Sequence, residues 1–400
     1  MKSWKSNFSA VLIAETLAIA GFALSMPIIP LFLREDIGMT DTRELKIWVG
    51  VIQAVPAVML AIFAPIWGRL ADVYSRRLML LRAMFGGAIV VSLMFFVNSP
   101  WQLLFLRSLQ GCLTGTITAA TVLTAGIAPV SHVAFALGLL QTGIAVGNSI
   151  GPLMGGVISD FLGHRIAFLS TGLTLALAGF IVLRFVEEDF KPVRSEKKSR
   201  FSFVPNIKPI LNSPALITMM IATFAIQAAN SISGPMLPLF VADLISGDRF
   251  IGSSTGFVLG VGAATTALAA VLVGKFSAQL GYWKTLIYCL TLCAIFTIPQ
   301  AFVTSVGQLV LFRAIASFFI GGSSPVIHAI IAISTEKKDQ GSVYGFNSST
   351  SAAGNAVGPM IGSFVAMINY RAVFLAAAAL LGIASYGTFK RRQEKIRPMV

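Results

Sequence analysis

Three ionisable side chains fall inside long uncharged runs, where a charge is hardest to keep. Glu15 sits within AVLIAETLAIAG, Arg107 within QLLFLRSLQG and Arg313 within QLVLFRAIAS. A carboxyl group screened from water is suited to carrying a proton or holding a cation. An intramembrane arginine costs at least about 2.5–3.5 kcal/mol on insertion scales unless it is compensated. Asp36, near the end of the first apolar run, is a second candidate proton carrier. Other chemistry is thinly supplied. Three cysteines and three histidines give neither a disulfide framework nor a metal cluster, and Cys289 and Cys293 are two isolated thiols on one helix face. No G-x-x-x-x-G-K-[ST] occurs, and Gly260-Val261-Gly262 does not continue as a dinucleotide fingerprint. No cofactor is therefore expected.

These side chains need elements to hold them, and composition says which. Of 400 residues, 56% are hydrophobic and 12% charged, about half the charged fraction of an ordinary soluble domain. A soluble fold of this size could not hide so much apolar surface. Apolar runs long enough to cross a bilayer fall at 8–33, 46–68, 78–97, 101–126, 134–159, 165–186, 213–241, 252–275, 283–303, 306–332, 341–367 and 371–389. The expected fold is an all-α integral membrane protein of twelve helices, with short loops forcing antiparallel neighbours. The segment 187–212 is charged and proline-bearing, and reads as a soluble linker between a six-helix bundle at 1–186 and another at 213–400.

The net charge of +14 would suggest nucleic acid on a soluble domain. Here it is distributed by loop. Arg69, Arg76, Arg77, most of the linker's Lys and Arg, Lys337, Lys338 and the C-terminal Lys390, Arg391 and Arg392 share one side. The other side has Arg34, Arg43, Lys46, Arg165, Arg249 and Arg371. The positive-inside rule then places both termini in the cytoplasm, and no nucleic-acid partner is expected. The first span follows Lys2 and Lys5 as a signal peptide would, but its apolar run is too long, so it is expected to be retained.

The halves repeat. Pro27-Ile28-Ile29-Pro30-Leu31-Phe32 returns as Pro235-Met236-Leu237-Pro238-Leu239-Phe240, Gln102-Leu103 through Arg107 as Gln308-Leu309 through Arg313, and Arg165 with Phe168 as Arg371 with Phe374. Gly147-x3-Gly151-Pro152-x2-Gly155 returns as Gly354-x3-Gly358-Pro359-x2-Gly362. All shifts lie between 206 and 208 residues. Duplicated six-helix halves are a transporter plan with the site between the repeats.

The motifs resemble the major facilitator superfamily over essentially the whole chain. Gly68-Arg69-Leu70-Ala71-Asp72-Val73-Tyr74-Ser75-Arg76-Arg77 is similar to the family's G-x-L-A-D-R-x-G-R-[RK] loop, with Val73 in place of a basic residue and Ser75 in place of glycine. Leu103-x3-Arg107-x2-Gln110-Gly111 is similar to its membrane-arginine motif. Gly143-x3-Gly147-x3-Gly151-Pro152-x2-Gly155-Gly156 matches the signature of its drug:proton antiporter branch, and Gly21-x5-Pro27-x2-Pro30 resembles the twelve-span drug antiporter motif.

The resemblance implies proton-driven export of small amphiphilic molecules from the cytoplasmic (inner) membrane. It makes Gly68, Asp72, Arg76 and Arg77 a cytoplasmic latch, and places Arg107 with the proton-coupling groups. It also sets Gln141, Gln227, Asn230 and Asn347, on spans 5, 7 and 11, beside a substrate cavity. Spacing alone gives a two-fold pseudosymmetric transporter.

Residue types leave alternatives open. The four-spaced glycines of span 5 form one side-chain-free stripe, suited to close packing or to a pivot against the matching Gly252, Gly256, Gly260 and Ala264 of span 8. Membrane amides often only bond neighbouring helices. Glu15 could instead be hydrated near the cytoplasmic face or paired with a lysine, and Arg107 could snorkel to the outer surface, roughly 10 Å away at 1.5 Å per residue. A sugar or metabolite transporter of the same fold is the nearest rival. A membrane enzyme would need a clustered His/Asp/Glu/Ser site, which the spans do not show, and a sensor would usually carry an added soluble domain, for which twelve spans in 400 residues leave no room. The expected partners are a small-molecule substrate, protons and the bilayer, with the chain a monomer.

Overall fold

The computed structural model describes residues 4–188, 208–245, 250–336 and 339–391, and these are helical throughout apart from short connections. Among the described residues, twelve apolar passes are built from fifteen of sixteen helices. The first is split into α1 (Trp4–Leu24) and α2 (Ile28–Glu35), followed by α3 (Thr42–Val73). Next come α4 (Arg76–Leu93), extended by a 3-10 turn at Met94–Phe96, and a fourth pass split into α5 (Pro100–Leu113) and α6 (Thr116–Ile127). The unbroken helices α7 (Val133–Leu162) and α8 (His164–Phe185) complete the first six.

After the short α9 (Lys208–Leu211), the seventh pass is split into α10 (Pro214–Ser233) and α11 (Leu237–Leu244). The remainder are α12 (Ile251–Leu280), α13 (Tyr282–Thr297) with a 3-10 turn at Ile298–Ala301, α14 (Val306–Ile333), α15 (Gln340–Ala366) and α16 (Tyr370–Arg391). Among the described residues, nine passes are individually long and apolar enough to cross a bilayer. The fourth is broken into α5 and α6, and α15 is diluted by glycine, serine and amides.

The repeat is visible in the packing. α1 packs on α7 as α10 packs on α15; α4 meets α8 as α13 meets α16; α1 and α10 lie against α8 and α16. Phe168 and its repeat Phe374 are both fully buried. The proline pairs act alike too: each missing N–H frees a carbonyl, and the chain turns at Ser25–Pro27 and at Gly234–Met236 before an eight-residue helix. Matching N-termini also explain Gln102 and Gln308. Ser99 and Ser305 accept from the Gln102 and Gln308 N–H groups, and the two glutamine side chains reach back to the N–H groups of Asn98 and Thr304, in the manner of a capping box.

One break has no counterpart. Span 4 stops at Thr114–Gly115, where Gly115 takes φ +121°, while α14 runs on through Pro325.

Two compact units emerge. One holds α1 to α8 with Leu237–Ala264, which is α11 and the first half of α12; the other holds α9, α10 and everything from Thr265. Most of the expected linker, 189–207, lies outside the described residues. Its first residues fold onto the first unit: Asn7 exchanges two 3.0 Å hydrogen bonds with the Glu187 backbone, and Glu188 reaches the start of α4.

Candidate functional site

Glu15 is 0% exposed. It lies midway along α1, and neither carboxyl oxygen has a hydrogen-bond partner. The Thr116 side chain, on the first residue of α6, faces it. The helix break at Gly115 therefore brings a half-helix N-terminus beside the carboxyl group. Exposed ends of broken helices are where membrane transporters place ion and substrate sites.

Arg107 is also buried, at 7% exposure, and does not snorkel outward. Its Nη1 donates to Gln110 Oε1 at 2.9 Å, its Nη2 to Gln53 Oε1 at 3.0 Å, and its Nε to the Ile52 carbonyl at 3.4 Å. Gln53 passes the chain on through Nε2 to the Met26 carbonyl, at the α1–α2 turn. A Cβ on Gly111 would collide with Pro56, so glycine there brings α5 against α3 and sets Arg107 within reach of Gln53. Arg107 is thus compensated by amides and a carbonyl, and it does not form an ion pair with Glu15. Arg313, its repeat partner, donates to Ser233 Oγ at 2.9 Å, beside the α10–α11 turn.

A further intramembrane cation, Arg82, was not singled out by sequence. Its Nε and Nη1 are buried without hydrogen bonds, and its guanidinium lies 3.7 Å from the Trp67 ring centroid. Trp67 in turn donates to the Cys112 carbonyl at 2.7 Å.

The glycines of α7 correct one expectation. Gly143, Gly147, Gly151 and Gly155 face α1, where an added Cβ would strike Thr16, Ala20 and Leu24. They are not the row that meets α12. That row is the adjacent one, Ser149, Pro152, Leu153 and Gly156, lying against Gly252, Gly256 and Gly260. The reason is angular: one residue is about 100° of helix, so Gly155 and its neighbour Gly156 serve different partners. Asp160 extends the α12-facing row by one turn. Its Oδ1 accepts from Gly252 N–H at 2.9 Å and its Oδ2 from Ser253 N–H at 2.7 Å.

Around the expected latch, the surroundings of Gly68 and the Asp72 side chain lie outside what the structure describes. Arg77 donates to the Leu183 carbonyl at 2.6 Å and Arg76 to the Val122 carbonyl at 3.5 Å. Their backbone N–H groups, with the Ser75 hydroxyl, converge on the Glu188 carboxylate at 2.6–3.3 Å. Asp36 sits at the other end of the helices, 2.6 Å from His164 Nδ1 and 3.4 Å from Arg165 Nε. Arg165 also bonds the Phe95 carbonyl and Asn98.

Of the amides expected beside a cavity, Gln141 and Asn230 are exposed and Gln227 is half-buried. Asn347 is buried and accepts from Thr223 Oγ1 at 2.8 Å. Asn355 makes the equivalent bond with Ser231, so both serve α10–α15 packing. No cluster of three or more His, Cys, Asp or Glu suited to a metal occurs among the described residues.

Twelve apolar passes in duplicated halves, with isolated charges held inside, define a multi-pass membrane transporter. The family model described as Major Facilitator Superfamily matches residues 11–299 and 219–398, and the chain belongs to that superfamily. It is 34% identical over 397 residues to a protein named multidrug resistance protein MdtG of Proteus mirabilis (strain HI4320), covering 98% of both chains. It is 34% identical to another so named from Enterobacter lignolyticus (strain SCF1), covering 95% of this chain and 90% of that one.

The fold is similar to a bacterial homolog of the human lysosomal transporter Spinster in an inward-facing, unoccupied conformation. That likeness has a TM-score of 0.79 at 15% identity, covering 98% and 97% of the two chains. It is also similar to the nucleoside transporter NupG, with a TM-score of 0.76 at 11% identity, covering 97% and 99%.

Proposed function

We propose that this chain is a proton-coupled antiporter that exports drugs or other small amphiphiles across the cytoplasmic (inner) membrane by alternating access, as a monomer with both termini in the cytoplasm. The observation that carries the reading is Glu15, fully buried with both oxygens unbonded. An ionised carboxylate there would be cut off from solvent with the single neutral Thr116 hydroxyl facing it, which is costly; a proton or a cationic substrate removes that penalty. Intramembrane carboxyl groups so placed are the usual carriers in proton relays. The names of the MdtG relatives and the span 5 signature support drug export as the cargo reaction.

In this cycle the outward-facing protein takes up a proton at Glu15, releases substrate and returns inward; proton release to the cytoplasm readies the site for new cargo. A ligand shifts such an equilibrium only through different affinity for the two states, and loss of the Glu15 charge supplies that difference. Arg107 holds span 4 to span 2 next to the α1–α2 turn, so changes at Glu15 and at that turn meet in one set of helices. Asp36 is the alternative carrier. Gln141, Gln227 and Asn230 are the polar positions proposed to meet cargo, with Asn347 positioning α15, and Gly68, Asp72, Arg76 and Arg77 form the proposed cytoplasmic latch.

The test is reconstitution in liposomes under an imposed proton gradient, following a fluorescent cationic dye. Wild type should concentrate dye against its own gradient only when the proton gradient is imposed, and Glu15→Gln, Arg107→Ala and Asp72→Asn should each lower that accumulation. Dye accumulation that does not respond to the proton gradient, or full activity in all three variants, would overturn the reading.

A further inference from the structure

We propose that Asp160 is a releasable outer latch that holds α12 against α7 by capping a helix that cannot cap itself. The comparison lies within the repeat. α3 and α12 are equivalent helices, and α3 is capped locally: Asp41 Oδ1 accepts from the Arg43 and Glu44 N–H groups at 2.7 and 3.2 Å. The residue before α12 is Phe250, which has no side-chain acceptor. The cap comes instead from another helix 92 residues earlier in the chain, through both oxygens of Asp160.

Two further observations mark this contact as one that opens. Phe250 has φ +66°, the left-handed region that a bulky residue rarely occupies, and such outliers persist only where surroundings enforce them and cluster at switches. Its ring lies 5.9 Å from that of Phe161, the residue after Asp160. Below the cap, α7 and α12 meet through small residues and backbone: Gly156 on Gly252, Pro152 on Gly256, Ser149 and Leu153 on Gly260. The Leu153 side chain fills the gap over Gly260 and the other close approaches in that row are to backbone, so a carboxylate at its end can govern whether the helices stay together. Asp160 is a positioning residue: it sets the separation of two helices and does not touch cargo.

The latch rests on the alternating-access reading proposed above, but its measurement does not depend on transport. In the full chain, with the three native cysteines replaced, spin labels at Leu162→Cys and Phe257→Cys report the separation of the outer ends of α7 and α12. The otherwise wild-type chain should show one short distance. Asp160→Asn and Asp160→Ala should move a several-fold larger fraction into a longer one.

In parallel, hydrogen exchange at Gly252 and Ser253 should quicken about fivefold in Asp160→Ala, the usual effect of losing a cap, with the Asp41-capped start of α3 unchanged. Faster exchange with unaltered distances would reduce Asp160 to a static cap and overturn the latch. So would no change in either readout. If Asp160→Ala does not fold, the near-isosteric Asp160→Asn decides by the same distances. A chain that opens as described yet moves no dye under a gradient retains the latch and loses the antiport reading.

Discussion

Arg107 on α5 and Gln53 on α3 are joined by a 3.0 Å hydrogen bond from Nη2 to Oε1, and Gln53 relays it to the Met26 carbonyl where the first span turns. The relay ties spans 4, 2 and 1 together through one guanidinium. Hydrogen bonds between membrane helices average about 0.6 kcal/mol and reach about 1.7 in double-mutant cycles. Arg107→Ala, Gln53→Ala and the double variant should therefore show a coupling of about 0.5–1.7 kcal/mol by denaturant or thermal unfolding in detergent. Arg107→Lys should recover little of it, because an ammonium cannot hold the Gln110, Gln53 and Ile52 acceptors in one plane. Additive single effects would show that the relay does not link the helices.

Glu15 predicts a split between stability and coupling. The carboxyl group makes no hydrogen bond, so the near-isosteric Glu15→Gln should change the free energy of unfolding little, since it opens no cavity and breaks no bonded pair. Gradient-driven dye export should fall at least tenfold, while dye exchange down its own gradient continues. Equal loss of both transport modes would point to a structural role for Glu15.

Much of this arrangement was legible in the residues. Pro27/Pro30 with Pro235/Pro238, and Gln102 with Gln308, were legible as landmarks of the duplication, and the structure sets them at equivalent turns and equivalent helix starts. What escaped has physical causes. A lone glycine in an apolar run does not reveal a positive φ, so the break at Gly115 was invisible, and with it the half-helix facing Glu15. Four-residue spacing identifies a glycine row but not its partner, since the next row is only one residue away. Asp160 reads as an ordinary charge near the end of a span because its partners are backbone N–H groups far along the chain. Arg82 sits about a turn and a half after the basic pair Arg76 and Arg77, and its stacking on Trp67 needs a second helix.

The two glycine rows of α7 give a graded prediction. A Cβ at Gly155 would meet the Leu24 carbonyl and one at Gly151 the Ala20 carbonyl, both backbone atoms of α1. Gly151→Ala and Gly155→Ala should each destabilise by about 1–3 kcal/mol, the range for overpacking. Gly138, on the same helix, has nothing within 4 Å of its would-be Cβ, so Gly138→Ala should be neutral or stabilise by up to about 1 kcal/mol through helix propensity. Thermal unfolding of the three purified variants checks the order; equal destabilisation by all three would refute the packing argument.

Glu188 offers a prediction about how the linker is tied to the first unit. Its carboxylate receives the Ser75 hydroxyl and the Arg76 and Arg77 N–H groups, so α4 is capped by a residue 111–113 positions later. A carboxylate at a helix N-terminus combines a cap worth about 1 kcal/mol with a charge–dipole attraction that salt weakens. Glu188→Ala should therefore quicken hydrogen exchange over the first turn of α4 about fivefold, and Glu188→Gln by less, since it keeps one acceptor. The difference between Gln and wild type should shrink as ionic strength rises, because only the charge is screened. The Asn7–Glu187 backbone bonds lie on α1 rather than α4, so exchange at the start of α1 should change little. Were α4 unaffected in Glu188→Ala, the Ser75 hydroxyl, which also accepts from Leu78 N–H, would be sufficient to cap that helix.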